Sequence, residues 1–200
     1  MCYDAPTSIG TFAFVSAIAL FLWRRNGPCD RAIGLILLVL AAMQLLEFVI
    51  WTHLGPNPVN QAATTLIPIL LYSQPLLLAL ILWIWKAGWF VELYKYIFYG
   101  LVACLPIFFL NLQSILTQST TGVGPTGHLD WPVYYSNFYI LLYDAVLLFL
   151  LSNIKKIPFA IAFVLAYIGS RVYYSTYYKQ EWKSMWCHAM NFVGLVALFT

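Results

Sequence analysis

Apolar residues run along this chain in seven long blocks, each bounded by charge, proline or glycine. The first covers residues 9–23 and stops at Arg24 and Arg25. The second covers 32–53 and is closed by Gly55, Pro56, Asn57 and Pro58. The third, 60–86, carries Pro68 and Pro75 inside it, and the fourth, 89–112, includes Cys104 and Pro106. A stretch rich in Ser, Thr and Gly follows over 113–131, with His128 and Asp130 in it. The fifth block starts at Pro132, a favourable first helical position, and ends near Ser152. Residues 153–158 turn into a sixth that reaches about Tyr178, and a seventh covers 184–200.

Crossing the hydrocarbon core takes about 20 consecutive apolar residues in a helix. Most of these blocks meet that length; the first and seventh are short and cross only with little tilt. Barrel strands are excluded because polar residues do not occupy every second position. The pattern predicts an all-α polytopic membrane bundle of about seven transmembrane helices, one domain over residues 1–200, with 113–131 as its outer loop.

Composition agrees. Only 8% of the residues are charged and 62% are hydrophobic, whereas a soluble domain carries about 25% charge to keep its surface in water. The lipid bilayer is therefore the first partner. No basic run supports nucleic-acid binding. The first block ends on Trp23, Arg24 and Arg25, a stop flank rather than a cleavage site.

Lysine and arginine set the sidedness. With the N-terminus outside, the inner turns hold Arg24, Arg25, Arg31, Lys86, Lys95, Lys155 and Lys156, against Lys179 and Lys183 outside. This is the bias of cytoplasmic loops, and it demands an odd number of spans with the C-terminus inside. The eight tryptophans fall near predicted helix ends, as interfacial anchors do.

Three ionisable residues lie within the apolar blocks: Glu47, Asp144 and Arg171. Such groups cost about 2.5–3.5 kcal/mol each on insertion scales and mark function or strong pairing. At 1.5 Å of rise per residue, Glu47 and Arg171 lie about 10 Å below the outer surface and Asp144 about 16 Å. Asn137 and Asn191 fall at about 8–10 Å by the same rise. Gln44 and Trp51 share a helical face with Glu47. These residues predict a polar cavity in the outer half, with Arg171 paired to Glu47 and Asp144 at the floor as a proton, cation or amine site. The competing reading is an ion pair and amides that only fix helix packing.

Other chemistry is thin. His53, His128 and His188 fall on the outer side, where with Asp130 or Glu47 they make a candidate zinc site for lipid hydrolysis. No GxSxG elbow is present. A retinal Schiff base needs a lysine inside the last helix, and Lys183 lies outside its mouth. Of the four cysteines, Cys29 is inside and Cys104 within the fourth block, leaving Cys2 and Cys187 as the candidate outer disulfide.

Two short motifs carry a resemblance: Met1, Cys2 and Tyr3 with Ser8, Thr11 and Phe12, and the run from Trp182 to Cys187 with Asn191 beyond it. With Gln44, Leu45, Leu46, Glu47 and Trp51 between them, the chain resembles an uncharacterised multi-pass family of algae, protists and their large DNA viruses. The resemblance brings no known activity; it gives weight to Glu47, Trp51, Cys187 and Asn191. Three functions stay open at this point: binding or transport of a small molecule or ion, modification of a lipid, and assembly of a membrane complex.

Overall fold

The computed structural model describes residues 4–116, 118–125, 127–133, 137–177 and 187–200, without the side chains of 137–139, 174, 175, 177, 187 and 188. Among the described residues the elements are helices, one small hairpin and two isolated bridges. Its helices are α1 (Ala5–Arg25), α2 (Asp30–Thr52), α3 (Pro58–Ile84), α4 (Val91–Leu110), the single turn α5 (Leu112–Ile115), α6 (Asn137–Ser152), α7 (Ile157–Tyr177) and α8 (Cys187–Phe199). Four of them, α1 to α4, are long and apolar enough to cross a membrane. The apolar stretches described in α6, α7 and α8 are shorter.

Local chemistry explains the boundaries. Asp4 caps α1 by accepting the Thr7 amide at 2.8 Å, and a proline occupies the first turn, so this helix begins earlier than the apolar block. It runs for 21 residues, about 31 Å, and is not short. Asn26 ends it in the left-handed region at φ 54. Asn57 caps α3 in the same manner, through the amide of Asn60. Pro68 and Pro75 sit inside α3 without ending it. Beside Pro75, Ser73 donates to the Leu70 carbonyl of its own helix, and Gln74 Oε1 accepts from the Tyr143 hydroxyl of α6 at 2.5 Å.

The long helices pack as a closed ring, α1, α2, α3, α6, α7 and α8, with α8 returning to α1. Helix α2 also packs on α8, and α4 lies outside on α3, with Tyr94 and Phe90 against Phe149 of α6. Between apolar helices in lipid the driving force is close packing rather than exclusion of water. The tightest seam shows it: a Cβ on Gly34 of α2 would lie 2.9 Å from the Ala19 carbonyl of α1. Only glycine lets these backbones approach so closely.

The helix ends sort into two faces. At one face the turns 26–29, 86–90 and 153–156 meet the end of α8. The Lys155 amide donates to the Ala87 carbonyl and the Trp89 amide to the Asn153 carbonyl, while Arg25 reaches the carbonyls of Ala197 and Leu198. The basic residues of the three turns gather here, so this is the basic end. Among the described helices, α1, α3, α6 and α8 therefore finish at the end where α2, α4 and α7 begin.

The opposite face carries the 113–133 segment, which is not an open loop. Gly122–Val123 pairs antiparallel with Leu129–Asp130 in register Gly122 to Asp130, and Leu116 bridges to Val133. Leu129, Trp131 and Val133 are buried against Met43, Ile50, Ala63 and Ile67 of α2 and α3. Trp131 is therefore a core residue, not an interfacial anchor. Pro132 lies between these buried residues and is not helical, which corrects the expected start of the fifth helix. We call this segment the cap and its face the cap end.

Candidate functional site

Gln44 and Glu47 are both 1% exposed on the face of α2 that runs up to the cap. Trp51, four residues after Glu47, packs on the apolar cluster that also holds Trp131. Glu47 lies five residues from Thr52, the last residue of α2, about 8 Å below that end. Two indole nitrogens, those of Trp51 and Trp131, are buried with no hydrogen-bond acceptor among the described residues. A buried donor left so costs about 1–3 kcal/mol, and native proteins commonly meet the need with water or ligand.

The cap is pinned over this region by a polar knot. Asn60 Nδ2 donates to the Thr121 carbonyl at 3.1 Å, and the Thr121 amide donates to Asn60 Oδ1 and to Thr64 Oγ1, both at 2.9 Å. The hydroxyls of Thr64 and Thr121 join at 2.9 Å. All three side chains are buried, so the knot replaces hydration that the cap backbone gives up.

Arg171 pairs with Asp144, not with Glu47. Its Nε lies 3.3 Å from Asp144 Oδ2 across the α6–α7 seam, and Tyr167 donates its hydroxyl to the other carboxylate oxygen. Two physical reasons correct the expectation. Helix α6 is described from Asn137, and Pro132 is not helical, which places Asp144 about 10 Å from the described start and level with Arg171. Helix α7 packs on α6 and α8, while α2 packs on α1, α3 and α8. Asp144 is thus the partner of the arginine rather than the floor of a cavity.

Asn191 joins Thr11 instead: its Nδ2 donates to Thr11 Oγ1 at 3.2 Å, tying α8 to α1. Its Oδ1 is buried with no partner among the described residues. The side chain of Asn137 and the Cys2–Cys187 pair lie outside the described residues. Cys29 and Cys104 are free thiols. No group of three metal-ligating side chains occurs among the described residues. His53 is exposed at the end of α2, its Nδ1 within 3.0 Å of Thr52 Oγ1 and the Val49 carbonyl, whereas His128 is wholly buried in the cap.

One charged centre was missed in the sequence. Asp30, the first residue of α2, is wholly buried at the basic end. Its carboxylate accepts from Arg25 Nε at 2.6 Å and Nη2 at 2.9 Å, from Lys156 Nζ at 2.7 Å and from the Gly27 amide at 2.9 Å. Cys29 next to it points Sγ at the Ala87 carbonyl, 3.8 Å away, and burial pushes its thiol pKa up. The signal was a lone acid among inner basic residues, which charge counting over loops passes over.

No family model, curated protein or solved structure matches the chain. Its class rests on its own features: a helical protein with four helices able to cross a membrane and a capped polar site at one end. No more particular identity follows.

Proposed function

We propose that the chain spans the membrane seven times, N-terminus outside and C-terminus inside, and that it binds or transports a small cationic or amine-bearing solute taken from the outer side. The alternating directions of the described helices support the span count, and the gathering of basic residues at one end supports the sidedness. The solute reading is carried by one observation: Glu47, about 8 Å below the cap-side end of α2, is buried, and so is Gln44 one turn before it. An acid kept inside a membrane segment marks function by default, and a cation that displaces its proton leaves the site neutral. Trp51 on the same helical face supplies an aromatic surface that favours cations.

Uptake of radiolabelled methylammonium and tetramethylammonium into proteoliposomes tests this. Wild type should accumulate at least one of them, Glu47→Gln should abolish uptake, and Lys95→Gln should leave it unchanged. Uptake by neither protein, or equal uptake by wild type and Glu47→Gln, overturns the reading. A purely structural or assembly role is the second reading, favoured by the pairing of Asp144 and Asp30 with nearby cations. Lipid hydrolysis draws no metal group from the described residues.

A further inference from the structure

The basic end is built in two halves that differ in chemistry. One half is joined by backbone: the Lys155 amide to the Ala87 carbonyl at 2.9 Å, the Trp89 amide to the Asn153 carbonyl at 3.0 Å, and a bridge between Gly88 and Ile154. The Tyr94 hydroxyl adds a bond to the Asn153 carbonyl at 3.3 Å. The other half, comprising the α1–α2 turn and the end of α8, is held by side chains that converge on one carboxylate.

Asp30 fills its acceptor positions with Arg25, Lys156 and the Gly27 amide. Arg25 spends its remaining donors on the Leu198 carbonyl at 2.8 Å and the Ala197 carbonyl at 3.3 Å. A cation at a helix C-terminus meets both the dipole and the orphan carbonyls there. One anion thus clasps α1, α2, the start of α7 and, through Arg25, the end of α8. Gly27 is shaped to it: a Cβ there would lie 2.8 Å from Asp30 Oδ2. Without the anion, Arg25 and Lys156 become two like charges in a partly buried site and repel. The backbone-joined half has no such dependence.

We infer that the Asp30 carboxylate is the catch of an ionic gate, which holds the α1–α2 turn and the end of α8 against a fixed plate formed by the 86–90 and 153–156 turns. The gate closes the bundle opposite the cap, so a solute held near Glu47 has no exit through the basic end while Asp30 keeps its partners. The closure stands apart from the solute reading; only its purpose rests on that reading. The chain carries its own reporter. The half-buried Cys29 thiol belongs to the ionic half and faces Ala87 of the fixed plate, so its exposure rises when the halves separate.

The test is maleimide alkylation of Cys29 in purified protein in detergent, with Cys2, Cys104 and Cys187 replaced by Ser. Asp30→Asn should speed alkylation at least about tenfold. Lys156→Gln, which removes one strap and leaves the arginine fork, should speed it severalfold. Amide exchange in the 86–90 and 153–156 turns should stay slow in both. Glu47→Gln should label at the starting rate, so failure of the solute reading is read separately. Folded Asp30→Asn protein that labels at the starting rate overturns the gate. If Asp30→Asn does not fold, an unchanged rate in Lys156→Gln overturns it equally. Loss of exchange protection across both halves also overturns it, since Asp30 would then hold the fold rather than a gate.

Discussion

Arg171 Nε stands 3.3 Å from Asp144 Oδ2, across the seam between neighbouring helices. The Tyr167 hydroxyl completes the same carboxylate from one turn earlier on α7. The guanidinium is 28% exposed and the carboxylate 16%, so the pair lies between a surface bridge and a buried one.

Asp144→Asn and Arg171→Ala should therefore each destabilise the bundle, by about 1–3 kcal/mol between the surface and buried limits. The double variant should cost less than the sum. Glu47→Gln should cost less than Asp144→Asn. Thermal unfolding of the four purified proteins checks this, and additive effects of the two seam variants would dissolve the pairing.

Sidedness is testable at two exposed positions. A Cβ on Gly122 of the cap meets open space, and Arg24 is exposed at the basic end. In a cysteine-free background, Gly122→Cys should react with an impermeant maleimide from outside only, and Arg24→Cys from the cytoplasm only. The reverse pattern inverts the orientation, and labelling of both from one side breaks the odd span count.

The cap depends on Asn60. Asn60→Ala strips partners from the Thr121 amide and carbonyl together, and one stranded buried group costs about 1–3 kcal/mol. Hydrogen exchange at Thr121 should quicken about tenfold or more, a factor that corresponds to about 1.4 kcal/mol. Exchange at Ala87 in the far turn should not change. Equal quickening at both places would mean that the cap has no stability of its own to lose.

Asp4 gives a pH signature at the start of α1. Its hydrogen bond from Thr7 lowers the carboxyl pKa below its ordinary value. The unfolded chain then holds the proton more tightly, so the cap's contribution is present above the ordinary Asp range near 4 and fades as pH falls through the lower folded value. Protection of the Thr7 amide should drop in that acid window in wild type and be flat in Asp4→Asn, which keeps a neutral acceptor. A drop of the same size in both would assign the loss to another group.

The apolar blocks could be read from the chain because burial in lipid demands long runs of one chemistry; the first four became helices long enough to cross a membrane, and shorter apolar helices are described in the other three. Helix order could not be read in this way. Nothing in residues 137–177 says that α6 and α8, rather than α2, flank α7, and that one fact moved Arg171 from Glu47 to Asp144. The cap was legible in part: Leu129, Trp131 and Val133 alternate inside a polar stretch, and all three are buried. Reading the stretch by its Ser, Thr and Gly content hid that alternation. Asp30 escaped because its role depends on Lys156, distant in sequence and brought near only by the fold.

The ring closes between its first helix and its last, through Asn191 on Thr11 at one end and Arg25 on the carbonyls of Ala197 and Leu198 at the other. A ribosome delivers α1 long before α8 exists. During synthesis α1 and α2 enter the membrane with the Arg25 fork only half engaged, held by Asp30 and waiting on carbonyls not yet made. Closure of this ring therefore waits for α8. A product stopped short of α8 would leave an open flank, with Thr11 lacking Asn191 and Arg25 lacking its two carbonyl acceptors.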